Sequence, residues 1–324
     1  RFCNSTVPLA RLDKFVYKNN EQFNAAIEIY HYGKASFSNA VVNWKFKDAK
    51  GQIVTKGSFK PTTITTGKNK LIGNIQYALS SIKQASQLTF EVSIANTNFS
   101  NDWNIWVYPT QTPLINNNTI YYTKILDAKA EEILNNGGKV FLNIAGKVVK
   151  GKEVIQHFLP VFWNTSWFKM RPPHTLGIVL DEKHPAFTDF PTANHSDLQW
   201  WEIVNRAQPM HLEDFPKTFR PLIQPIDTWF MNRRLALVFE AKVGKGKLVV
   251  SSADLGESNG DKPAANQLFY SLEKYMLSDK FYPSTTIDIS LIKDLTQTPS
   301  KFVFDAYTKG SPDELKPKSA ITAP

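Results

Sequence analysis

The chain has 324 residues, of which 42% are hydrophobic and 21% charged, and it carries a formal net charge of +9. That balance describes a folded chain with room for two cores and excludes a disordered one. No apolar run approaches the ~18 residues that cross a bilayer, so no membrane insertion is expected. The one cysteine, Cys3, excludes an internal disulfide and a cysteine-based metal cluster. Because the chain starts at Arg1 without methionine or a leader, it reads as a processed form or a piece of something longer.

Residues 8–109 have the pattern of an all-β domain. Val42, Trp44 and Phe46 alternate with Asn43, Lys45 and Lys47, the period of a half-buried strand. "DAKGQ" supplies turn chemistry, and Leu88, Phe90, Val92 and Ile94 repeat the alternation. Short strands at this spacing predict an immunoglobulin-like sandwich, closed by "NDWNIWVYP". Residues 1–110 hold 13 Lys/Arg against 6 Asp/Glu. Since those lysines alternate with apolar residues, they predict a solvated sheet face, and no nucleic-acid partner is expected.

"TQTPLINNNT" has linker composition. It divides the chain into a sandwich over 1–112 and an α/β domain over 113–324. In the second part "TIYYTKIL" reads as a strand. Asp127 caps a helix carrying Ala130, Ile133 and Leu134, and "NNGG" ends it. "KVFLNIA", "TLGIVL" and "KLVVSSA" are continuous apolar runs, as in buried parallel strands. Pro263 opens a long helix with Ala265, Leu268, Leu272 and Met276 on one face. This alternation predicts an α/β layer fold with a largely parallel sheet. The Pro- and Lys-rich end, from about Pro312, predicts a frayed tail.

Several segments resemble the C-terminal, non-catalytic region of secreted bacterial glycoside hydrolase family 2 enzymes of the β-galactosidase-like group. They are "RFCNSTVPLARLDKF", "NDWNIWVYP", "GGKVFLNI", "LPVFWNTSWF", "HTLGIVLDEKHPAFTDFPT", "QWWEIV" and "GKGKLVVSSADL". The resemblance extends to about residue 283. It implies an immunoglobulin-like domain followed by a class I glutamine amidotransferase-like domain, from a periplasmic or extracellular enzyme. It also implies a partner, the catalytic barrel of the same parent chain, which has no counterpart in these residues. The family's Asn-Glu signature occurs at Asn20-Glu21, but in a turn between strands and without a second glutamate at the ~5–5.5 Å of a retaining pair.

Other chemistries find weaker support. An amidotransferase needs a thiolate at a strand-to-helix turn, and Cys3 lies in the other domain. "GESNG" matches the Gly-x-Ser-x-Gly elbow of a serine esterase at Ser258, yet several polar residues separate Ser258 from Pro263, and the last histidine, His211, precedes it. Glu257, Asn259 and Asp261 alternate as calcium ligands do, with an incomplete set. The six histidines lack zinc-protease spacing. "VGKGK" reads as a hairpin turn. No metal and no cofactor are expected.

Aromatic residues supply the remaining signal. Trp163, Trp167, Trp201 and Trp229 sit beside polar residues and are candidates for stacking on sugar. Packing explains most of the eight tryptophans without a ligand. In "NHSDLQWWEIV", Ser196 and Gln199 have capping-box spacing, which predicts a helix starting there. On it Trp200, Ile203, Val204 and Ala207 form an apolar stripe, placing Trp200 in the core and Trp201 at the surface. The function expected is therefore an inert accessory region of a glycosidase. The alternatives are a carbohydrate-binding module and, from the elbow match alone, an esterase using Ser258.

Overall fold

The computed structural model describes residues 3–110, 115, 118–158, 174–205, 207–228, 231–256 and 261–301. It contains two compact units, Arg1–Pro113 with Asp189–Pro191, and Leu114–Thr188 with Thr192–Pro324.

In the first unit, ten strands run β1 Thr6–Leu12, β2 Val16–Lys18, β3 Gln22–His31, β4 Phe37–Ala40, β5 Val42–Lys47, β6 Ile53–Ser58, β7 Thr62–Ile64, β8 Lys68–Ala78, β9 Ser86–Ile94 and β10 Ser100–Tyr108. They form a three-stranded sheet (β1-β3-β8), a five-stranded sheet (β2-β10-β9-β5-β6) and a small β4-β7 pair. The cause is visible in the side-chain period. On β3, Phe23, Ala25, Ile27 and Ile29 point inward, while Gln22, Asn24 and Tyr30 point to solvent. The ring of Phe23 meets Phe46 and Phe90 of the other sheet, each at 4.9 Å between centroids. These rings join the two sheets through one core. Asp48 makes the β5–β6 turn by accepting from the backbone N–H groups of Lys50 and Gln52 at 2.9 and 2.8 Å. Lys45 and Lys47 pair with Glu91 on the adjacent strand at 2.7 and 2.5 Å, so part of the basic excess is neutralised across the sheet.

The second unit begins with β11 Ile120–Thr123, α1 Ala128–Asn135 and β12 Lys139–Asn143. It continues with β13 Ile178–Val179, α2 Trp201–Val204, β14 Met210–His211, β15 Gln224–Pro225, β16 Leu235–Ala236, β17 Val238–Val243, β18 Gly246–Ser251, α3 Pro263–Leu277 and α4 Ile289–Gln297. Its central sheet has the order β11-β12-β18-β17. Three of those strands are parallel, and β17 joins antiparallel through a tight hairpin in which Gly244 takes φ 58°. Asp127 caps α1 by accepting from Ala130 N–H at 2.8 Å, and Gly137 follows its end at φ 88°. Val140 and Leu142 share one core with Ala130 and Leu134 of α1 and Ile292 and Leu295 of α4. Phe141 points the other way and packs on Phe269 of α3, the rings 5.2 Å apart and nearly perpendicular. Helices therefore cover both faces of the sheet.

The structure corrects one expectation here and adds one helix. "TLGIVL" forms only the two-residue β13, paired antiparallel with β15, and does not join the parallel sheet. An apolar run reports burial, and in this loop-rich segment burial comes without a strand. Helix α4 was not anticipated. Asp288 caps it by accepting from Ser290 N–H at 2.8 Å, and Ile292 and Leu295 bury its inner face. That cap followed by an apolar i, i+3 pair was the available signal. The tail from Pro312 lies outside the described residues.

Candidate binding surface around Trp201

The tryptophan pair sits where a single 3-10 turn, Leu198–Trp200, runs directly into α2. Successive helical residues point roughly 100° apart, so neighbours with identical side chains acquire different surroundings. Trp200 is fully buried at 0% exposure, and its indole N–H donates to Thr192 Oγ1 at 2.9 Å. Trp201 is 61% exposed, with one edge against Phe158 at 5.4 Å and 79° between planes. Ile203 and Val204 are buried beside Trp200, while Ala207, also buried, lies past the end of the helix.

How the turn starts differs from the expectation. Ser196 is not a cap: its hydroxyl is buried and donates to the carbonyl of Phe158 at 2.9 Å. Asp197 occupies the N-terminal position and makes no side-chain capping bond. Gln199 donates its amide to Asp197 Oδ2 at 3.2 Å, and Ala193 N–H reaches the same oxygen at 3.3 Å. Capping-box spacing requires Ser196 to face along the helix axis, and tertiary packing turns it elsewhere. Burial pushes the Asp197 carboxyl up to about 6, against the opposing pull of those donors and of His195.

Glu202, next to Trp201, anchors the surface from behind. Its Oε1 accepts from the backbone N–H groups of Ala264 and Ala265 at 2.7 and 3.0 Å. Those are the opening donors of α3, whose own N-cap residue, Lys262, makes no side-chain capping bond. Burial raises the Glu202 carboxyl, while those N–H groups and Lys262 favour its charged form. Trp201 is therefore an exposed ring on a backbone fixed from two sides, suited to stacking and without a reacting group of its own.

Trp163, Trp167 and Trp229 lie outside the described residues, as do Ser258 and the Glu257 and Asn259 of the calcium-like alternation. Glu21 lies in a turn, where it pairs with Lys14 at 2.6 Å and accepts from Lys18 N–H at 2.6 Å. Cys3 is exposed in the first unit. At the end of β18, Ser251 and Ser252 donate to the carbonyls of Ala253 and Leu237 at 2.9 and 3.3 Å. His157 and His174 stack at 4.0 Å, and burial followed by the charge of His174 lowers the His157 imidazole. Among the described residues no helix is long and apolar enough to cross a membrane.

One surface feature escaped the sequence reading. Tyr30 and Tyr32 are 44% and 52% exposed, with ring centroids 4.6 Å apart. The alternation along β3 places Tyr30 on the outer face, which was the available signal.

The family described as "Domain of unknown function (DUF8487)" matches residues 121–297, more than half of the chain. The chain belongs to that family. A second, "Domain of unknown function (DUF8488)", matches residues 21–109. No curated protein matches. Among solved structures, the CARDB domain of the PF1109 protein from Pyrococcus furiosus is 8% identical over 32% of this chain and 93% of its own, with a TM-score of 0.26. Parabacteroides merdae beta-glucuronidase is 11% identical over 44% of this chain and 22% of its own, at 0.25. Listeria innocua beta-glucosidase is 8% identical over 32% of this chain and 16% of its own, at 0.25. The chain spans less than a quarter of either glycosidase. These are weak likenesses, and glycosidases are among them.

Proposed function

We propose that the chain is a non-catalytic accessory region of a glycosidase of the family 2 type, supporting a catalytic barrel carried elsewhere in the parent protein. In this reading the first unit is the immunoglobulin-like domain, ending near residue 112. The second is the glutamine amidotransferase-like domain, and the parent enzyme works in the periplasm or outside the cell. The observation that supports it is the division of labour between Trp200 and Trp201, one a core residue and the other an anchored surface ring. A large aromatic ring fixed on a rigid support is what a protein contact or a sugar face uses. The reading frame upstream of Arg1 tests the proposal. A barrel-sized segment supports it, and a signal peptide directly upstream overturns it.

The second reading, a carbohydrate-binding module, draws on the same exposed ring. Oligosaccharide binding by the isolated chain that is lost in Trp201→Ala favours it. The esterase reading predicts hydrolysis of aryl acetate that disappears in Ser258→Ala.

A further inference from the structure

A cleft of ≈ 950 Å³ opens beside the carboxyl ends of the parallel strands in the second unit. In open α/β sheets this is the edge where ligands settle, because the strands end there and the loops diverge. The volume is that of a small-molecule site. Tyr122 near the end of β11, Phe141 in the middle of β12 and Phe269 of α3 line it together. Their centroids lie 6.1 Å (Tyr122–Phe141), 6.0 Å (Tyr122–Phe269) and 5.2 Å (Phe141–Phe269) apart, an aromatic wall in which Phe141, 2% exposed, backs the other two rings. Tyr122 is 39% exposed, so part of that wall is wet.

The polar lining is as informative as the rings. The Tyr122 hydroxyl donates to Glu273 Oε1 at 2.7 Å, which fixes the ring and places a carboxylate beside it. Asp127 also lines the cleft, but its oxygens accept from Ala130 N–H and the Tyr121 hydroxyl at 2.8 and 3.0 Å. Lys124 supplies one positive charge at the same edge. Two carboxylates against one ammonium leave the lining slightly acidic, which disfavours phosphate, sulfate and uronic acids. A cationic amine gains little, because Asp127 and Glu273 each already accept donors from the protein and Lys124 repels it. A ligand that meets an aromatic wall with an apolar face, and offers hydroxyl donors to a carboxylate, is a neutral sugar ring.

We infer that the cleft formed by Tyr122, Phe141, Phe269 and Glu273 is a binding site for a neutral saccharide, separate from the Trp201 surface. The inference goes beyond the accessory role and does not depend on it. An absent upstream barrel removes the accessory reading and leaves the cleft untouched.

Calorimetric titration of the whole chain with cellobiose, mannobiose, lactose, glucosamine and glucuronate tests it. At least one neutral disaccharide is expected to bind. Tyr122→Ala should weaken that binding about tenfold, the scale of one aromatic contact. Glu273→Gln, which keeps the side-chain shape, should weaken it as well, and Tyr30→Ala, which removes an exposed ring of the first unit, should leave it unchanged. Unaltered near-ultraviolet circular dichroism establishes that each variant is folded, and Glu273→Gln decides the matter if Tyr122→Ala is not. The inference fails if no neutral disaccharide binds the folded wild-type chain. It fails equally if glucuronate or glucosamine binds more tightly, if both cleft variants bind normally, or if Tyr30→Ala abolishes binding.

Discussion

Glu202 and Ala264 are 62 residues apart in sequence, yet the Glu202 carboxylate accepts the Ala264 backbone N–H at 2.7 Å and thereby caps α3. The helix begins at Pro263, whose missing N–H suits the first position. The next two donors are met by a side chain from another element. Position and charge both matter here, since an anion at a helix N-terminus also meets the positive end of its dipole. Glu202→Ala should cost about 1–2 kcal/mol, the value of a lost cap, and Glu202→Gln should cost less because it keeps an acceptor. Urea unfolding of the three proteins checks the order.

The two tryptophans should separate sharply. Trp200→Ala removes a fully buried ring and its bond to Thr192, and should cost about 3–5 kcal/mol. Trp201→Ala removes an exposed ring and should cost under about 1 kcal/mol. Its expected effect is weaker association with a catalytic barrel or a glycan. Thermal denaturation of both variants measures the difference directly, and equal losses would contradict the assignment.

Asp197 should make stability fall as pH rises. Its folded carboxyl is pushed from 3.8 up to about 6, chiefly by burial, so between those values the folded state holds a proton that the unfolded chain has released. The favourable contribution is complete below pH 3.8 and is lost as pH passes through about 6. The full swing is about 1–3 kcal/mol. Asp197→Asn should abolish this slope, leaving the variant more stable than wild type near pH 7 and closer to it near pH 4. Denaturation midpoints across pH 3.5–7.5 provide the comparison.

Gly151 should tolerate no side chain. Its φ is 116°, and an added Cβ would sit 2.3 Å from the carbonyl oxygen of Pro209 and 2.9 Å from the backbone nitrogen of His211. Both obstacles are main-chain atoms, and the same segment is held by the bond from His211 N–H to the Lys150 carbonyl at 3.0 Å. Gly151→Ala should cost about 3 kcal/mol or more, combining backbone strain with displaced main chain. Comparison with Gly146→Ala separates the terms, since Gly146 also has positive φ but nothing within 4 Å of an added Cβ.

The strands and helices with a repeating pattern were determined by the sequence alone. Leu88, Phe90, Val92 and Ile94 line one face of β9, and Ala265, Leu268, Leu272 and Met276 line one face of α3, because burial follows the period of the backbone. Asp127 and the "NNGG" stretch marked both ends of α1 for the same local reason, a cap and a left-handed glycine. The division of Trp200 from Trp201 was legible too, since one residue of helix is a fixed rotation. Local pattern did not show where unpaired polar groups find their partners. Ser196 had the spacing of a cap and instead bonds Phe158, and Glu202 caps α3, a helix 62 residues further along the chain. The cleft was likewise invisible, because Tyr122, Phe141 and Phe269 come from three elements and converge only when parallel strands lie side by side beneath a helix. Hydrogen bonds and cavities between distant segments depend on the geometry of packing, and no periodicity along one segment encodes that geometry.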